Sequence, residues 1–247
     1  MFPIGDENAG TSIKPFVNWM LIGISVLVFV YEMLLPPDQL EVFFMQFGAI
    51  PAEITRFRDL YTIFTSMFLH GGWAHLLGNM LFLLIFGDNI EDAMGHVSYL
   101  LFYLLCGIAA ALAQVLLDVS STIPVIGASG AISGVMGAYI VLFPHGKVRA
   151  LMFFGYFGQI ILVPAWVMIG LWFVLQLFSG FASLAGPADI GGVAFWAHVG
   201  GFIAGALLVW LFRDKESVAR QNAVRDQHRT WERVPAGARS NRQRGPF

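Results

Sequence analysis

The feature of this sequence that most constrains its fold is the recurrence of long apolar runs. Hydrophobic residues make up 57% of the 247 and charged residues only 12%, against about a quarter charged in soluble proteins. A helix needs about 20 predominantly apolar residues to span a bilayer. Six candidate segments can be read: Phe16–Leu35, Trp73–Phe86, Val97–Leu117, Ser129–Phe143, Ile160–Phe178 and Gly191–Phe212. The sequence therefore predicts an all-α polytopic membrane protein with a bundle of six transmembrane helices.

The connections between these segments are too short for a second folded domain. We expect a short N-terminus (1–15), one six-helix membrane domain (16–212) and a basic tail (213–247). The tail ends in a Pro/Gly/Arg-rich stretch that cannot build a core, which predicts disorder. The first apolar segment exceeds the about 7–15 residues of a signal-peptide core and lacks a small-residue cleavage pattern. It is therefore predicted to be a retained anchor.

The distribution of Lys and Arg predicts the orientation of the bundle. Lys14, Lys147, Arg149 and nine basic residues of the tail fall on one side of the membrane, and only Arg56 and Arg58 fall on the other. Because cytoplasmic loops carry the excess of positive charge, both termini are predicted to be cytoplasmic. The asymmetry fits a bacterial inner membrane. The tail is read as a positive anchor facing anionic lipid rather than as a nucleic-acid-binding element.

The fourth segment is too short to cross a bilayer. Its fifteen residues, Ser129–Phe143, make a helix of roughly 22 Å against a hydrocarbon core of about 30 Å. The preceding loop, 118–128, must then dip into the membrane and be enclosed by protein or a water-filled cavity. Ser129 is thus predicted to lie below the surface at a helix N-terminus, where free backbone N–H groups favour a developing oxyanion.

Small residues predict that the fourth and sixth segments touch. Gly130, Gly134 and Ala138 form a ridge on one, and Ala197, Gly201 and Gly205 form a ridge on the other. Such ridges let membrane helices pack backbone to backbone. Close packing would bring the hydroxyl of Ser129 within hydrogen-bond range of the ring of His198, as a nucleophile and a general base require. The alternative is that Ser129 only helps the helices pack.

A second polar group begins the second segment. His75 and Asn79 are four residues apart and share one helix face, whereas His70 belongs to the turn before it. Two side-chain donors on one face could stabilise an oxyanion together with the Ser129 N–H. They could instead only hydrogen-bond across helices.

Other chemistry is not supported by the pattern of residues. Neither segment that carries Ser129 or His198 contains an acidic residue, which favours a Ser–His dyad over a Ser–His–Asp triad. His70 and His75 lack a third ligand and an H-E-x-x-H pattern, so zinc binding is not predicted. No cofactor is expected.

Three motifs together resemble those of the rhomboid intramembrane serine proteases. They are His70…His75…Asn79, Gly127-Ala128-Ser129-Gly130 and Ala197-His198-Val199-Gly200-Gly201…Gly205. They follow the family's order on its second, fourth and sixth helices, and the similarity extends over roughly 16–212. Tyr61-Thr62 stand where many members have Trp-Arg, whereas Glu91 and Gly95 resemble the family's Glu-containing turn.

The resemblance implies specific roles for these residues. Ser129 would be the nucleophile, His198 its general base, and His75 and Asn79 part of the oxyanion hole. Gly127 would keep the approach open. The substrates would be transmembrane segments of other proteins, entering near helix 5 beneath a mobile cap at about 179–190. No metal or cofactor is implied, and no oligomeric state is indicated.

Two other functions remain open at this level. An inactive rhomboid-like protein that binds membrane clients typically lacks the Ser or the His, and this chain has both. A channel or transporter usually has repeated polar segments, which are not evident here. The sequence therefore favours an active intramembrane serine endopeptidase.

Overall fold

The computed structural model describes residues 2–7, 10–154, 157–185 and 194–233. In chain order its elements are β1 (Phe2–Asp6), α1 (Phe16–Leu34), α2 (Pro37–Phe47), α3 (Pro51–Ile54), α4 (Thr62–Thr65), a 3-10 turn (Ser66–Phe68), α5 (Trp73–Met94), α6 (His96–Leu117), α7 (Ser129–Leu142), β2 (Lys147–Phe154), β3 (Phe157–Pro164), α8 (Ala165–Ala185), α9 (Phe195–Phe212) and α10 (Lys215–Arg233).

The predicted bundle of apolar helices is confirmed. Five of the described helices, α1, α5, α6, α8 and α9, are long and apolar enough to cross a membrane, and α7 is a shorter apolar helix. Their outward faces carry exposed large apolar side chains such as Leu27, Leu116 and Leu207. Such a surface is unfavourable in water and suits the hydrocarbon of a bilayer. The chain is an integral membrane protein.

Helix α7 occupies the centre of the bundle. Every residue from Gly130 to Tyr139 is buried, and the helix packs against α5, α6 and α9. Helices that are apolar all round belong in such a position. A helix of 14 residues can end inside the membrane because its neighbours, not lipid, surround its ends.

The loop before α7 is enclosed as its length predicts. Ala49 and Val125 exchange backbone hydrogen bonds of 3.0 and 2.9 Å, and the Ala52 N–H donates to Ser121 O. The Gly127 N–H donates to the carbonyl of Ser66 at 2.8 Å. These bonds satisfy polar backbone groups at membrane depth, where exposed ones would cost several kcal/mol each.

A three-stranded sheet was not predicted. Strands β1, β2 and β3 pair antiparallel in that order. The start of the predicted fifth segment, Ile160–Phe178, is therefore wrong. The residues before Ala165 pair with β2, and the helix runs on to Ala185. The apolar run there is continuous, and periodicity alone cannot separate a short apolar strand from a helix.

Polar side chains at the end of α5 hold the segment before α1 to the bundle. The carboxylate of Glu91 accepts the N–H groups of Val17 and Asn18 at 3.0 and 2.7 Å, which caps the start of α1. Asp92 accepts the N–H groups of Ser12 and Ile13 at 2.7 and 3.0 Å. Helix α5 thus continues eight residues beyond the predicted end at Phe86, because its polar last turns are paired.

Helix α10 corrects the prediction that the tail is disordered from its start. Its buried face carries Val218, Gln221 and Arg225, spaced three and four residues apart. Gln221 donates to the Asn89 carbonyl at 3.1 Å and to Asp92 at 2.7 Å. This face is mostly polar, so a search for apolar periodicity passes over it. Residues 234–247 of the predicted tail lie outside the described residues.

Arg225 is the largest side chain that is fully buried among the described residues. Its guanidinium donates to Asn89 Oδ1 at 2.6 Å and to Gln221 Oε1 at 3.1 Å, and it lies 4.2 Å above the ring of Phe143. Strand β1 and helix α10 therefore meet at one end of the bundle, since Asp6 of β1 also accepts hydrogen bonds from Asn89 and Tyr139.

Arg225→Met should destabilise the folded protein. It leaves buried acceptors without their charged donor, a loss of about 2 kcal/mol, and should lower the thermal unfolding midpoint in detergent. Lys215→Met is the control, because it removes the same charge from an exposed position on the same helix. Equal midpoints for the two variants would contradict the proposed anchoring of α10.

Candidate active site

Ser129 is the first residue of α7, directly after a turn that contains Gly127. Gly127 has φ 123°, a left-handed conformation that glycine adopts without steric cost. The turn ends the loop and starts the helix at Ser129, which is half-buried. The first backbone N–H groups of a helix have no hydrogen-bond partner within it. The N–H groups in the first turn of α7, which begins at Ser129, can therefore donate hydrogen bonds to a ligand.

The two glycine ridges bring α7 and α9 into backbone contact. A Cβ built at Gly201 would overlap the Gly130 carbonyl, and one at Gly205 would overlap Gly134. A Cβ at Gly137 would meet the carbonyl of Phe202. Glycine is required at these positions for steric reasons, because the helix backbones have no room for a side chain between them.

This contact places Ser129 beside His198. The ring atom Nε2 of His198 lies 2.7 Å from Ser129 Oγ, and His198 is buried, with 9% of its surface exposed. The predicted proximity of the two side chains is therefore present, while their catalytic roles stay predictions. A serine hydroxyl at this distance from an imidazole nitrogen can pass its proton directly to it.

His75 and Asn79 line the same cavity, which has a volume of about 600 Å³. The Gly71 N–H donates to His75 Nδ1 at 3.3 Å, so in the neutral ring Nε2 carries the hydrogen. That nitrogen lies against Gly127, where an added Cβ would come within 2.6 Å of it. The side-chain nitrogen of Asn79 is buried and has no hydrogen-bond partner among the described residues. Both residues thus present donors near Ser129.

His70 lies beside His75, in the turn before α5. Its backbone N–H donates to the carboxylate of Glu32 at 3.2 and 3.3 Å, and its Nδ1 lies 3.1 Å from the Phe68 carbonyl. Its ring centre is 5.1 Å from that of His75. Burial, with a smaller contribution from His75, lowers the pKa of His70 to about 4, so the ring is neutral at physiological pH. His70 is therefore placed to support the ring of His75 by contact.

Two contacts of the site were not predicted. Gln176 of α8 places its amide oxygen 2.7 Å from His198 Nδ1, and the carboxylate of Glu32 anchors the turn that carries His70. Both are isolated polar residues in apolar segments, which is a detectable signal. The partner of His198 is an amide from the fifth segment, whereas the sequence prediction concerned only acidic residues in the fourth and sixth.

The remaining predicted elements are only partly described. Residues 179–185 of the predicted cap continue α8, and 186–190 lie outside the described residues. In the first loop, the Tyr61 hydroxyl donates to the Gln46 carbonyl at 2.9 Å and the Thr62 hydroxyl to the Asp59 carbonyl at 2.7 Å.

Within the described ranges no three His, Cys, Asp or Glu side chains converge on a possible metal position.

The bundle of apolar helices, with a Ser–His contact in a cavity between them, makes this chain a polytopic membrane protein with a polar internal site. The Rhomboid domain model matches residues 58–215, which is more than half of the chain. The chain belongs to the rhomboid family.

Several curated proteins share this domain. Rhomboid protein 1, mitochondrial, of Saccharomyces cerevisiae is 32% identical over 66% of the chain and 45% of its own length. Rhomboid protease GluP of Bacillus subtilis is 29% identical over 79% of the chain and 35% of its own length. Rhomboid protease AarA of Providencia stuartii is 27% identical over 76% and 69%, respectively. The chain spans about half the length of several of its relatives, including 57% of Rhomboid-like protein 11, chloroplastic, of Arabidopsis thaliana.

Gly201→Leu should disrupt the bundle at the site. The new side chain has no space against Gly130, and overpacking of this kind costs about 1–3 kcal/mol. We expect a clear fall in the thermal unfolding midpoint. Gly23→Leu is the control, because a Cβ at Gly23 meets nothing within 4 Å. An unchanged midpoint for Gly201→Leu would contradict direct contact between α7 and α9.

Proposed function

We propose that this chain is an intramembrane serine endopeptidase that cleaves peptide bonds in or near transmembrane segments of other proteins. The observation that carries the proposal is the 2.7 Å contact between Ser129 Oγ and His198 Nε2 in a cavity that His75 and Asn79 also line. Membership of the rhomboid family supports it, because that family includes proteases such as those named GluP and AarA.

The first chemical step uses Ser129 and His198. The hydroxyl oxygen of Ser129 attacks the scissile carbonyl carbon while its proton moves to His198 Nε2. The tetrahedral intermediate then collapses, and His198 returns the proton to the departing amine. A water molecule attacks the acyl-enzyme in the second half-reaction, again with His198 as base. The geometry supports a dyad, with no carboxylate in contact with the His198 ring in the described part of the chain.

Charge on the carbonyl oxygen is met by neutral donors. The Ser129 N–H lies at a helix N-terminus, His75 Nε2–H borders Gly127, and the side-chain nitrogen of Asn79 has no partner within the described part of the chain. Donors fixed before the reaction stabilise the oxyanion without reorganisation. Their low-dielectric surroundings strengthen each interaction.

The proposed substrates are other transmembrane proteins, and the surrounding partner is the lipid bilayer. No nucleic acid, metal or cofactor enters the proposal. Both termini are proposed to be cytoplasmic, from the excess of Lys and Arg on that side, which places the Ser129 end of α7 toward the outside. A bacterial inner membrane is the proposed location. The proposed organisation of the chain is a short N-terminus (1–15) followed by a membrane domain (16–212).

Ser129→Ala should abolish cleavage while leaving the fold intact. Wild-type and variant protein in liposomes are compared for cleavage of a single-span model substrate and for labelling by a fluorophosphonate, which reacts with activated serines. Ser217→Ala is the control, since it removes a hydroxyl from the start of α10, outside the cavity and the predicted cap. Cleavage that persists in Ser129→Ala would exclude Ser129. A folded wild type that neither cleaves nor labels would favour client binding without proteolysis.

Asn79→Ala should lower turnover with little effect on folding. Loss of one well-placed oxyanion donor reduces kcat by about 10²–10³-fold, and KM should change little because the substrate carbonyl gains this bond mainly in the transition state. Asn222→Ala, which removes an amide of α10 bonded to the Leu142 carbonyl, is the control for the assay. An unchanged kcat for Asn79→Ala would remove Asn79 from the oxyanion hole.

A further inference from the structure

One polar contact of the site has no role in the steps above. Gln176 lies on α8, outside the two helices that carry Ser129 and His198, and it is the only Asn or Gln of that helix. Its amide oxygen is 2.7 Å from His198 Nδ1, while the other ring nitrogen contacts Ser129. The imidazole is therefore held between two partners from two different helices.

The oxygen of Gln176 decides which ring nitrogen carries the proton. A carbonyl-type oxygen only accepts hydrogen bonds, so Nδ1 must be the N–H donor. A neutral imidazole has one N–H, so Nε2 then has a free lone pair. Only in this tautomer can Nε2 accept the proton of Ser129. In the opposite tautomer Nε2–H would point at Ser129 Oγ, and the ring could not act as a base.

The same face of α8 also fixes the plane of the ring. Trp172 precedes Gln176 by one helical turn, and its ring centre lies 5.7 Å from that of His198 at an interplanar angle of 40°. Among the described residues, Gln176 and Ser129 are the two hydrogen-bond partners of the ring. One turn of α8 thus supplies both the ring contact and the acceptor.

An amide suits this position better than a carboxylate. A charged side chain within a membrane segment is costly, whereas a neutral amide can be buried once its hydrogen bonds are made. The Gln176 oxygen also gains when the ring becomes an imidazolium, because hydrogen bonds from charged donors are stronger.

We propose that Gln176 is a positioning residue that holds His198 in the tautomer and orientation required of a general base. This rests on the proposed function, in which His198 takes the proton of Ser129. Gln176 acts through the imidazole and not on the substrate. It therefore completes a neutral Ser–His–Gln arrangement.

The tautomer can be read without any assay of activity. Full-length protein with ¹⁵N-labelled histidine is reconstituted in lipid bilayers, and solid-state NMR separates protonated from unprotonated ring nitrogens. The His198→Gln variant assigns the His198 signals among the six histidines. We expect Nδ1 to be protonated and Nε2 unprotonated in the wild type. Protonation of Nε2 in the wild type would overturn the proposal.

Variants at Gln176 test the consequence for turnover. Gln176→Met has a similar length but no acceptor, so the population with Nε2–H should rise and kcat should fall about 10- to 100-fold, the range seen when metal-bound histidines lose their orienting partner. KM should stay within about threefold. Gln176→Glu keeps an oxygen acceptor and should restore kcat to within about tenfold of the wild type.

Gln114→Met is the matched control. Gln114 lies on α6 and accepts the N–H of Ala197 at 3.3 Å, so the variant removes an amide next to His198 without touching its ring. It should leave kcat and the tautomer unchanged. Wild-type values of both in Gln176→Met, or an equal loss in Gln114→Met, would overturn the proposal. If no protein cleaves or labels, the proposed function fails, whereas the spectra still decide whether Gln176 sets the tautomer.

Discussion

The contact between the backbones of α7 and α9 is the constraint on which the rest of the structure depends. Gly201 and Gly205 meet Gly130 and Gly134 with no room for a Cβ between them. Side chains of ordinary size would move the helices several ångströms apart and break the 2.7 Å contact of His198 with Ser129. In a bilayer, packing of this kind replaces the hydrophobic effect as the main source of association between helices.

The polar groups of the bundle fall into two sets at opposite ends. The set around Ser129 and His198 uses neutral groups, including an Asn79 nitrogen that has no partner in the described ranges. The set at the end of α5 is charged, and its acceptors are engaged: Asp92 alone accepts from Ser12 and from Arg220 at 2.6 Å. Unused donors are costly when buried. An unpaired donor in the cavity that Ser129 and His198 line is consistent with a site that binds a developing negative charge.

Much of the candidate site could be predicted because its residues violate the apolar pattern around them. A serine after Gly127 and a histidine among small residues stand out in membrane segments, where polar side chains are costly. Gln176 stands out in the same way, yet its contact with His198 joins residues 22 positions apart on different helices. No local spacing reports such a contact. The polar buried face of α10 was missed for a related reason, since it lacks apolar periodicity.

The sequence by itself determined the membrane class, the approximate extent of five of the six helices and the family motifs, because apolar length and small-residue ridges are local properties of a chain. Tertiary structure decided that the run before Ala165 pairs as a strand, since pairing with β2 satisfies its backbone. It also decided that Arg225 is buried and that Gln176 faces His198. Each of these depends on which distant backbone or side chain supplies a hydrogen-bond partner, and that choice exists only once the helices have packed.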